Sequence, residues 1–125
     1  MVVEEVNTTP VATSTDTTIG YSPDAPGHTP VQAIAYADAL KKYANRRLQV
    51  TPTCQVTPNN VTYKNGTSIM IDNRSDKPKA MKVGSTFTIP AYGFKIVTLS
   101  STTLPATYYV DCDKQQNAGT IILQK

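Results

Sequence analysis

At 125 residues and 39% hydrophobic content, the chain has room for one domain with a modest core and a stretch outside it. A net charge of +3 is too mild to point to nucleic acid or to a membrane surface. No run approaches the ~18 apolar residues of a membrane span. Glu4 and Glu5 also interrupt Val2, Val3 and Val6, so no apolar leader is read there, and any targeting segment or anchor is expected outside this sequence.

Residues 1–28 read as a tail or linker. Asn7 to Thr18 is almost entirely Thr, Ser, Pro, Ala and Asp, and Tyr21 to His28 adds two prolines and a glycine. Such a segment buries too little apolar surface to offset its chain entropy. A single domain is then expected over 29–125, with a helix at 29–49 and strands from 51 onward. Thr29 suits the N-cap, Pro30 the first helical position, and Gln32 completes a Thr-x-x-Gln capping box. The stretch that follows is rich in alanine and free of glycine. Ala33, Tyr36, Ala37, Leu40, Tyr43, Ala44 and Leu48 give it an apolar stripe. Lys41, Lys42, Arg46 and Arg47 are expected in the last turns, where positive charge offsets the helix dipole.

After Pro52 the texture changes to short runs dominated by Val, Ile, Thr, Tyr and Phe. Eight candidate strands cover 53–56, 61–64, 68–73, 79–83, 85–89, 95–99, 107–112 and 120–124. Pro58-Asn59-Asn60, Asn65-Gly66, Asn73 to Pro78, Pro90 to Gly93 and Leu104-Pro105 separate them. Seven or eight short strands at this spacing predict a mainly β, Greek-key sandwich preceded by one helix.

Cys54 and Cys112 stand near the two ends of this β region. They can form a disulfide, remain as two buried thiols, or leave Cys112 reactive or metal-binding. The even count and the small core favour the disulfide, and with it an oxidising compartment.

From Gly66 onward the chain resembles a cupredoxin, the plastocyanin-type sandwich. Ile69-Met70-Ile71-Asp72-Asn73 looks like the family's strand ending in Asn. Phe87 to Pro90 and Tyr92 to Val97 resemble its strand, Pro/Gly turn and strand. Tyr108-Tyr109-Val110-Asp111-Cys112 followed by Gly119-Thr120-Ile121-Ile122-Leu123 resembles the segments flanking its ligand loop. The resemblance implies a bacterial, extracytoplasmic protein. It puts Lys79 where the family has its first His ligand, and Cys112 where it has its thiolate. A blue-copper site needs two His and a Cys, usually with an axial Met. This chain has one His, His28, in the expected tail, and Asp113 to Ala118 offers neither imidazole nor thioether. No copper or other cofactor is therefore expected.

Other chemistry lacks its parts as well. A Ser-His-Asp or Cys-His arrangement would have to recruit His28, zinc lacks ligands, and there is no Gly-rich phosphate loop. Asp111 and Asp113 are expected to face away from Cys112 as solvated strand-end residues. The sequence thus points to a non-catalytic, secreted or cell-surface binding or structural module. The alternative is a redox or copper-handling protein using Cys112. Two surfaces are candidates for a protein or cell-envelope partner. One is the loop pole carrying Arg74, Lys77, Lys79, Tyr92, Gln115, Gln116 and Asn117. The other is the helix face of Tyr36, Leu40 and Tyr43, which either packs on the sandwich or serves self-association.

Overall fold

The computed structural model of the protein describes residues 19–27 and 29–125. Residues 1–18 and His28 lie outside them. Strand β1 is Ile19–Tyr21 and helix α1 is Pro30–Lys42. Nine further strands follow: β2 Arg47–Val50, β3 Val56–Thr57, β4 Asn60–Lys64, β5 Ser68–Asn73, β6 Lys79–Val83, β7 Ser85–Ile89, β8 Gly93–Thr98, β9 Ala106–Cys112 and β10 Gln115–Gln124. They form two five-stranded sheets, in the orders β1-β8-β5-β2-β3 and β4-β10-β9-β6-β7. Two pairs, β2 with β5 and β4 with β10, are parallel, and the rest are antiparallel.

Strands β4 to β10 answer to seven of the eight expected ones; the first, expected at 53–56, is a turn and loop at Thr53–Gln55, with Cys54 at φ 62°, and only the two-residue β3 follows it. Strands β1 and β2 fall where the sequence suggested tail and helix. The tail reading of 1–28 fails for its last part, because Ile19, Gly20 and Tyr21 pair with Lys95, Phe94 and Gly93 of β8. Gly20 permits this: a Cβ there would lie 2.2 Å from Cζ of Phe94, whose ring occupies the space. The rest of the tail reading concerns residues outside the described ones.

The helix begins as the capping box requires. The Thr29 N–H donates to Gln32 Oε1 at 2.7 Å, and the Gln32 N–H donates to Thr29 Oγ1 at 3.2 Å. It stops at Lys42, well short of residue 49. The Arg46 side chain donates to the Lys42 carbonyl at 3.0 Å, satisfying one of the carbonyls a helix end leaves open. Arg46 therefore caps the helix from outside it, and Arg47 and Leu48 belong to β2. Leu48 continues the apolar spacing of the helix, but its burial is between the sheets. Tertiary contact outweighs helix propensity over these residues.

The core has two parts. Between the sheets lie Leu48, Val50, Ile69, Ile71, Met81, Val83, Ile89, Val97, Leu99, Tyr108, Val110, Ile121 and Leu123, with the two cysteines at one end. On the other face of the first sheet, Tyr36, Ala39 and Tyr43 of α1 pack on Met70 and Phe94, with Leu40 and Ile96 half-buried beside them. The ring centroids of Tyr36 and Phe94 are 5.7 Å apart in a tilted pair. Tyr36, Leu40 and Tyr43 thus pack within the molecule and are not a free helix interface. The exposed apolar residues of α1 are Val31 and Ile34.

Candidate functional site

One pole of the sandwich gathers the loop after β2, the β5–β6 connection, the β7–β8 turn and the β9–β10 turn. Asn73 holds two of these together, the β5–β6 connection and the β7–β8 turn: its Nδ2 donates to the carbonyls of Lys77, Ile89 and Pro90 at 2.9–3.2 Å. The Tyr92 N–H donates to the Ser75 carbonyl at 2.9 Å. Cys54, Tyr92, Asp113 and Asn117, all at this pole, have φ between 52° and 62°, in the left-handed region non-glycine residues seldom adopt.

Cys54 and Cys112 are joined as a disulfide with Cα atoms 5.6 Å apart, closing a sequence separation of 58. It ties the loop after β2 to the end of β9 in the second sheet. Beside it, Lys79 is buried, and its Nζ donates to the Pro52 carbonyl at 2.8 Å and to Asp113 Oδ2 at 3.3 Å. The other oxygen of Asp113 accepts the Ala80 N–H at 2.9 Å. Asp113 Oδ2 also lies 3.6 Å from Cys54 Sγ. Asp113 is exposed as expected, but the expectation that it turns away from the cysteines is corrected. Its left-handed backbone breaks strand alternation and swings the carboxylate back over the disulfide. Asp111 stays at the strand edge and accepts the Asn117 N–H at 3.0 Å.

The loop-pole candidates separate into four groups. Lys79 is consumed by its ion pair. Lys77 and Gln116 are exposed. Gln115 and Asn117 belong to β10, not to a loop, with Gln115 paired to Cys112 and the register shifting before Gly119. They line an open groove of about 500 Å³ together with Thr53, Gln55, Thr57 and Asn59, a wall of amides and hydroxyls without charge.

Arg74 and Tyr92 turn toward the helix instead. The Arg74 guanidinium lies 5.6 Å from the Tyr36 ring centroid and 5.7 Å from that of Tyr92, and pairs with Asp24. Under it sits Asp72, fully buried. Its Oδ2 accepts from Arg47 Nη2 and from the Tyr36 hydroxyl, both at 2.6 Å, while Oδ1 has no hydrogen-bond partner and lies 3.7 Å from Arg74 Nη1. Burial pushes the Tyr36 hydroxyl above the ordinary tyrosine range, and its bond to Asp72 adds to the shift. Burial works against the charge of Arg74, but the bond to Asp24 and the nearby Asp72 raise its pKa further. This cluster fastens α1 to the first sheet. The sequence reading missed it, and its one signal was a carboxylate breaking the apolar run Ile69-Met70-Ile71.

The donor set does not fit a blue-copper centre. The sulfur at the thiolate position is bonded to Cys54, and the residue at the first His position is a lysine ion-paired to Asp113. Cys54, Cys112 and Asp113 do bring two sulfurs and a carboxylate oxygen within 4.8 Å of one another. The bond between the sulfurs withholds them as thiolate ligands.

No family model matches the chain, and no curated protein matches it in sequence. Solved structures do resemble it. An oxidised amicyanin mutant with leucine in place of a methionine superposes with a TM-score of 0.58 at 10% identity, over 91% of this chain and 99% of that one. The amicyanin of Paracoccus versutus (Thiobacillus versutus) gives 0.56 at 13% identity, over 90% and 97%. At such identities the likeness concerns the path of the backbone, and on that ground the chain is a cupredoxin-like β-sandwich with a helix packed on one sheet.

Proposed function

We propose that this chain is a copper-free, non-catalytic cupredoxin-like domain, serving as a binding or structural module in an oxidising, extracytoplasmic setting. The single observation that carries the reading is the state of Cys112. The sulfur the fold family uses as a metal ligand is spent on the bond to Cys54, which bridges the two sheets. The Lys79 ammonium, beside the one carboxylate within reach, adds a charge that repels a metal cation. A disulfide of this kind suits a secreted or surface location. Among the described residues no helix is long and apolar enough to cross a membrane, so attachment to a cell envelope would rest on a segment outside them or on a partner.

Thiol counting and copper addition test this together. The unreduced chain, unfolded in denaturant, should react with no thiol reagent, and after reduction with two equivalents. Copper(II) added to the reduced, refolded protein should leave the visible spectrum without an intense thiolate-to-copper band. Such a band would overturn the reading in favour of copper handling through Cys112.

A further inference from the structure

Of the four sheet edges, three are blunted. Strands β1 and β3 have only three and two residues, and β4 ends on Lys64 before the Asn65-Gly66 turn. Short length and edge lysines are the usual devices against unwanted strand pairing. Strand β7 carries none. Its sequence, Ser85-Thr86-Phe87-Thr88-Ile89, is uncharged and free of proline, and among the described residues it pairs in unbroken register with β6 on one side only. Ser85, Thr86 and Thr88 are exposed and Phe87 is half-buried.

Beside this edge lies an unusual cation. Lys95 of β8 pairs with Ile71, a residue of the inter-sheet core, so its side chain enters the same interior. It is 8% exposed, and its Nζ rests 5.4 Å from the centroid of the Phe87 ring. Buried charges are ordinarily paired. Asp72 has Arg47, and Lys79 has Asp113. Among the described residues no carboxylate lies within salt-bridge distance of Lys95. Its one close charge-stabilising neighbour among the described residues is the π-face of Phe87, on the open edge strand itself.

We propose that the free edge of β7 is a strand-addition site for an extended peptide segment of a partner protein, with an acidic side chain on its inward face that pairs with Lys95. This rests on the reading of the chain as a binding module and names its partner's chemistry. Main-chain hydrogen bonds to β7 would supply affinity, and inward side chains at alternate positions would supply selectivity. Apolar groups would cover Phe87, and one carboxylate would meet the Lys95 ammonium. A basic residue at that position would place two cations side by side.

The test uses the full chain, isotope-labelled, and a capped peptide Thr-Val-Thr-Glu-Thr-Val-Thr, whose Val, Glu and Val share one face. At ~1 mM, an ordinary range for a short single-strand ligand, the peptide should shift the backbone amides of Ser85–Ile89 and slow their hydrogen exchange. The same peptide with Lys for Glu should bind about tenfold more weakly, the scale of one charge-assisted pair. Lys95→Met should abolish the preference between the two peptides, and Lys95→Arg should keep it. Absence of shifts, shifts centred elsewhere such as Gln115 to Asn117, or equal binding of the two peptides by the unmodified protein would overturn the proposal. Should Lys95→Met not fold, the comparison of peptides on the unmodified chain still decides. None of these outcomes touches the thiol and copper results, so the two readings fail separately.

Discussion

Among the described residues the sheet β1-β8-β5-β2-β3 is covered twice, by the inter-sheet core and by α1, whereas β4-β10-β9-β6-β7 is covered once. The difference is written in the strands. In β5 five consecutive residues, Ile69 to Asn73, are buried, while in β9 buried residues alternate with exposed or half-buried ones from Ala106 to Cys112. On the bare face stand Thr62, Thr86, Thr88, Thr107, Tyr109, Thr120 and Ile122, side chains that favour a strand without needing a cover. The covered face carries Met70, Phe94 and the Asp72 cluster. Burying a carboxylate was acceptable only where two arginines and a tyrosine could be brought to it.

Substitutions that sample both faces sharpen or break this contrast. Asp72→Ala should show the largest effect, about 3–5 kcal/mol, since it leaves Arg47 and Arg74 facing one another without their shared anion. Phe94→Ala should fall in the same range of about 3–5 kcal/mol, through the cavity left under Tyr36 and beside Gly20. Loss of the disulfide in a Cys54→Ser, Cys112→Ser double variant should cost about 2–4 kcal/mol by freeing the unfolded chain. Urea unfolding measures all three, and an unchanged midpoint for Phe94→Ala would mean that α1 is not a second cover. Tyr109→Ala, at a side chain 56% exposed on the bare face, should stay within about 0.5 kcal/mol. A loss there comparable to that of Phe94→Ala would show that something covers this face in solution.

Alkaline pH gives a further handle on the covered side. The Tyr36 hydroxyl is raised in the folded state, so folding favours its protonated form. Its contribution is fully present below about pH 10, the unfolded value, and is lost as pH rises through the higher folded one. The urea midpoint should therefore decline above about pH 10, and Tyr36→Phe should soften that decline.

How much of this could be read beforehand depends on whether the signal was local. The N-terminus of α1 was legible because a capping box is complete within four residues. Seven of the eight strands after Pro52 were legible because β-branched runs and turn residues alternate along the chain. The end of α1 was not, since Leu48 keeps helical spacing while its burial is decided by a sheet still to come. Ile19–Tyr21 gave no strand signal; only the Phe94 ring, more than seventy positions away, explains why a glycine sits between Ile and Tyr. At the candidate site the cysteine count suggested a bond and left its geometry open. Lys95 and Asp72 looked like ordinary strand residues and Lys79 like a binding residue of the loop pole, because burial of a charge is a property of neighbours brought from distant segments.

The pairing of β4 with β10 gives this chain a particular relation to its own synthesis. Residues Asn60 to Lys64 wait for Thr120 to Gln124, which leave a ribosome only after β5 to β9, and Cys54 waits for Cys112. Neither the second sheet nor the bolt between the sheets can close on a nascent fragment. The polypeptide consequently stays open and threadable until residues 112–124 have been made.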